Sequence, residues 1–175
     1  MRTKRTCNHV ASLFLLLCCL SCNTGKPFFD YDEIDYYTNR TFSQDDLPGL
    51  WDHQERSAFD SMKSGVITDD IPRNVKDLSF IDSLPRMGYE KRVVDQSKFA
   101  DIGEIFSEKE VKNNVATTCI YIYRDILIFK KQGAVIGTAK ICFGCMDHQI
   151  TGSKAQTGNF GQDGDYDKLE QILSR

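Results

Sequence analysis

The chain has no Gly-x-Ser-x-Gly, no phosphate-binding glycine loop and no His-Glu-x-x-His, so no serine-hydrolase, nucleotide-phosphate or zinc-peptidase chemistry can be read from such a motif. No second long apolar run follows Leu20, and a bilayer-spanning helix needs about 20 such residues. It also lacks a basic excess. Lys and Arg number 22 against 25 Asp and Glu, a formal net charge of −3. That balance argues against nucleic acid and against anionic lipid headgroups as partners. Internal repeats and low-complexity tracts are absent too. The charges are scattered along the chain, as on ordinary solvated faces.

What the chain does have is a distinctive beginning. Arg2, Lys4 and Arg5 precede an apolar stretch from Val10 to Leu20, and Leu20-Ser21-Cys22 leads into polar Asn23-Thr24-Gly25-Lys26. A basic start, a short apolar run and a small residue before the cut describe a secretory signal rather than a span. Leu-Ser-Cys resembles the lipobox of bacterial lipoproteins, with Cys19 where that family usually has Leu. The resemblance covers residues 1–22 and implies a signal peptide over 1–21. It also implies lipidation at Cys22 and a membrane-anchored lipoprotein of the bacterial cell envelope, at the outer membrane. Two or more acyl chains give stable anchoring at about 0.8 kcal/mol per buried CH₂. Cleavage would remove three basic residues and no acidic one, making the remainder more acidic by three charges.

Residues 22–41 read as a flexible tether. Phe28-Phe29-Asp30-Tyr31-Asp32-Glu33-Ile34-Asp35-Tyr36-Tyr37 alternates aromatic and acidic side chains without a clean period, which favours disorder. The rival reading is a docking strip whose aromatics bind a partner or fold back on the body. Residues 42–175 are expected to form one globular α+β domain. Its centre is an antiparallel sheet built around a long hairpin (about 117–143), with N-terminal helices and a C-terminal helix. A helix from the Trp51 region to about Gly65 places Trp51, Phe59 and Met62 on one face. A short helical run is expected through Val75 and Ile81, a strand over 89–94, and an amphipathic helix over 97–106 carrying Phe99, Ile102, Ile105 and Phe106. The last helix starts near Asp165, with Tyr166, Leu169, Ile172 and Leu173 in one stripe.

In the hairpin, Cys119 to Phe129 is β-branched and aromatic, with apolar residues on both faces, as expected of a central strand. Gly133 suits the left-handed position of a three-residue loop over 131–133. That register sets Cys119 opposite Cys145, close enough for a disulfide. It also sets Arg124 opposite Lys140, a like-charge clash that a bulge near Arg124-Asp125 would relieve.

The chemistry centres on Cys119, Cys142, Cys145 and His148. Three cysteines beyond Cys22 cannot all pair within one exported chain. Cys142-Phe143-Gly144-Cys145 admits a structural disulfide or a zinc site completed by Cys119 and His148. A thioredoxin-like redox motif is the third reading, although no helical run follows Cys145. Asp163, Asp165 and Asp167 have the spacing that opens a calcium loop, but Lys168 and Ser174 stand where Gly and Glu are required, and helix capping explains the acids better. His53 beside Asp52 and Glu55 reads as a solvated helix face. Lys140-Ile141-Cys142 and Gly164-Asp165-Tyr166 resemble segments of uncharacterised bacterial lipoproteins, a likeness that implies no activity. The expectation is a lipid-anchored envelope module that binds or supports another component, such as an envelope protein, without catalytic residues of its own; a metal-binding or thiol-redox protein using Cys119, Cys142, Cys145 and His148 is the alternative.

Overall fold

A computed structural model describes residues 25–52, 56–111 and 119–174. Five strands form one antiparallel sheet: β1 (Glu33–Thr38), β2 (Glu90–Val93), β3 (Asp125–Lys131), β4 (Ala134–Cys142) and β5 (Asp147–Thr151), in the order β2-β1-β3-β4-β5. Four helices accompany them: α1 (Leu47–Trp51), α2 (Ala58–Thr68), α3 (Phe99–Ile105) and α4 (Asp165–Ser174). The fold is therefore mixed α+β, with the hairpin at its centre and a helix at its C-terminal end. Among the described residues, no helix is long and apolar enough to cross a membrane.

Alternation along the strands supplies two apolar faces, and each is covered. Ile34, Tyr36, Leu127, Phe129, Ala139 and Ile141 pack against α3 and α4 through Ile102, Ile105, Phe106, Leu169 and Leu173. On the other face, Tyr37, Ile126 and Ile128 pack with Leu47 and Leu50 of α1 and Val66 and Ile67 of α2. β3 is central, buried on both sides, as its uninterrupted apolar run requires.

Part of the expected tether is core. β1 lies between β2 and β3, and Phe28 and Phe29 are buried. Its acidic residues, which made the segment look solvated, are paired: Asp35 meets Lys91 at 2.8 Å and Lys130 at 2.6 Å, and Glu33 meets Lys130 at 2.8 Å. The aromatics fold back, Phe29 stacking on Phe129 with centroids 4.5 Å apart. Gly137, opposite Phe129, leaves that room, because a Cβ there would strike the Phe29 ring.

Several local expectations need correction. The first helix is two, α1 and α2, separated at Asp52; Trp51 is exposed rather than core. The run from Val75 to Ile81 is a set of turns leading into short 3-10 segments at Ile81–Ser83 and Pro85–Met87. The hairpin loop is two residues, Gln132 and Gly133, both at positive φ (50° and 77°), as in a primed turn whose twist suits a hairpin. The bulge sits between Phe129 and Lys130 rather than near Arg124, so Lys140 faces Ile126 and the like-charge clash never arises.

Candidate functional site

The end of β4 carries the chemistry. Lys140 and Cys142, two residues apart, share one face, whereas Ile141 points to the other. Cys142 pairs with Asp147 and Ile141 with His148 across the β4–β5 ladder, so His148 belongs to the opposite face from Cys142. Cys119 and Cys145 are joined in a disulfide, with Cα atoms 5.9 Å apart. The register that singled out this pair was wrong: β3 does not begin until Asp125, and Cys119 precedes the ladder. Among the described residues, Cys142 is the free cysteine; it is buried and packed in one small cluster with Cys145 and Tyr123.

This arrangement does not bring the four proposed zinc donors together. Two sulfurs are consumed in the disulfide, and Cys142 and His148 look to opposite sides of the sheet. Among the described residues, no group of three or more His, Cys, Asp or Glu is placed to hold a metal ion. His148 instead has its Nδ1 2.9 Å from the Tyr166 hydroxyl and its ring 4.9 Å from that of Phe160. Burial holds its pKa below the usual 6.5, against the opposing pull of Asp147. His53 and Glu55 lie outside the described residues.

Two polar clusters escaped the sequence reading. Lys140 is 0% exposed, and its ammonium donates to the carbonyls of Gly65 (3.2 Å), Val66 (3.0 Å) and Asp69. These lie at the C-terminal end of α2, where helices leave carbonyls without a helical partner, although Gly65 also accepts from the Asp69 and Ile71 N–H groups. Three donors meet three acceptors. Burial still pushes the lysine down to about 7, with Asp69, Asp70 and Asp147 pulling the other way. The ammonium also sits 4.5 Å from the centroid of Tyr123, whose hydroxyl donates to Asp147 at 2.6 Å. The second cluster surrounds buried Asp125, which accepts from Tyr36, from Thr38 at 3.2 Å and from Arg40 at 3.2 Å. Tyr36 is pushed up to about 12, first by burial and then by the Asp125 charge. The signal for both was visible as charged residues inside apolar strands, but their partners are remote in sequence.

Two of the clefts among the described residues lie beside this chemistry. One of about 500 Å³ is lined by Trp51, Arg56, Asp69, Cys119, Ile120 and Tyr121. Trp51, Ile120 and Tyr121 are 38%, 49% and 40% exposed. The other, about 320 Å³ between α3 and α4, has buried Asp165 in its wall, with Lys109 at 3.6 Å. Burial raises the Asp165 carboxyl above its usual range. Asp165 opens α4, where the helix dipole favours a negative charge.

The chain matches no protein-family model, and no curated protein or solved structure shows significant similarity to it.

Proposed function

We propose that this protein is an exported, lipid-anchored module of the bacterial cell envelope, held at the outer membrane through Cys22, that binds or supports another envelope component. The observation that carries the reading is the Cys119–Cys145 disulfide. Structural disulfides persist in oxidising compartments and are rare where thiols are kept reduced. That agrees with the basic, apolar, Leu-Ser-Cys start of the chain. The body also begins close behind Cys22: Glu108 N–H donates to the Lys26 carbonyl at 2.9 Å, and Phe28 N–H to that of Phe106 at 2.8 Å. An extended chain reaches at most about 3.6 Å per residue. Anchoring at Cys22 would therefore hold the Lys26 corner against the membrane surface, with no long spacer.

The test is expression of the full chain in a bacterial host fed labelled palmitate. Label on the protein and recovery in the membrane fraction, both lost in Cys22→Ala, are expected. An unlabelled soluble protein, or label that survives Cys22→Ala, would overturn the reading.

A further inference from the structure

We propose that Cys119, Cys142 and Cys145 form a thiol–disulfide exchange site, which takes small disulfide-bearing molecules through Cys119. The placement of the three sulfurs carries this. Cys142 is a free thiol in the same buried cluster as Cys145, one end of an existing disulfide. The chain turns back between them, because Cys142 pairs with Asp147 and Met146 N–H donates to the Phe143 carbonyl at 3.3 Å. Cys119, the other end, is exposed and lies ahead of the first β3 ladder pair. It lines the cleft whose apolar walls are Trp51, Ile120 and Tyr121.

The exchange balances without an outside oxidant. The Cys142 thiolate attacks the Cys145 sulfur; a Cys142–Cys145 bond forms and the Cys119–Cys145 bond breaks. Cys119 leaves with the electron pair and takes up the proton that Cys142 released. One disulfide and one thiol exist before and after. The free thiol has moved from a buried position to the wall of an open cleft. There the Cys119 thiolate attacks an incoming disulfide R–S–S–R, forming Cys119–S–S–R and releasing R–S⁻. The incoming disulfide is reduced and Cys119 oxidised. This site goes beyond an anchored binding module and does not depend on lipidation.

The experiment incubates the folded full chain with oxidised glutathione for hours, the timescale of uncatalysed rearrangement. Acid quenching and non-reducing peptide mapping follow. Among Cys119, Cys142 and Cys145, the expected product carries one glutathionyl group, on Cys119, and a Cys142–Cys145 bond. Cys142→Ala should keep Cys119–Cys145, with no glutathione at Cys119 or Cys145. A glutathionyl group on Cys142 with Cys119–Cys145 intact would overturn the proposal, as would an unmodified wild-type chain. Should Cys142→Ala fail to fold, the wild-type map decides alone, since the modified residue is itself the readout.

Discussion

Removing the Cys119–Cys145 bond should be among the most costly single changes at the sheet's end. The bond closes a loop across a sequence separation of 26. In the chain-entropy account, cross-linking that loop removes about 12 cal/mol/K from the unfolded ensemble, or about 3.5 kcal/mol at 25 °C. Cys119 is exposed, so Cys119→Ser disturbs little packing, and the loss should come almost wholly from the missing cross-link. Urea unfolding followed by fluorescence measures it. With a slope of about 1–3 kcal/mol/M, the midpoint should fall by on the order of 2 M. Cys142→Ala, which leaves the bond in place, is the control and should cost far less. A Cys119→Ser midpoint within the error of wild type would refute the reasoning, because it would mean that the loop is already ordered without its staple.

Three other perturbations follow from the same packing. Lys140→Met strips the donor from the carbonyls of Gly65, Val66 and Asp69 and should destabilise by about 2–4 kcal/mol, read by thermal unfolding. In the wild type, the unfolded chain holds a proton on this lysine up to 10.5 and the folded chain only to about 7, so stability should rise with pH across that window. A variant with the same rise would exclude Lys140 as its source. Because burial depresses His148, the unfolded state binds its proton first; stability present above pH 6.5 should be lost as pH falls below it, a slope that His148→Asn should remove in pH-dependent denaturation. Gly137→Ala drives a Cβ into the Phe29 ring and should cost about 1–3 kcal/mol, with the near-ultraviolet dichroism of the aromatic stack reduced.

What could be read from the sequence was whatever is encoded locally. The α4 stripe of Tyr166, Leu169, Ile172 and Leu173 sustains one helical face, and the helix starts where expected, at Asp165. The hairpin was legible from β-branched runs flanking Gly133, and β3 was legible as central from apolar residues on both faces. β1 was missed because Asp35 looks solvated until Lys91 and Lys130 arrive from other strands. The loop was misjudged by one residue because Gln132 takes a positive φ with no glycine to announce it. The pairing of Cys119 with Cys145 emerged from a register the sheet does not use, so the pair was right and the argument for it was not. Lys140 could be seen as a charge inside a strand, but its acceptors lie more than 70 residues away. Nothing local could have named them.

The most direct measurement is an intact mass, with thiol alkylation, of the full-length gene product isolated from the envelope of a bacterial host. The account predicts a chain beginning at Cys22, heavier by its diacylglycerol and acyl groups, two hydrogens short of the all-thiol form and carrying one alkylatable thiol. A chain that begins at Met1 without lipid, or one in which Cys119, Cys142 and Cys145 all alkylate without prior reduction, would contradict it.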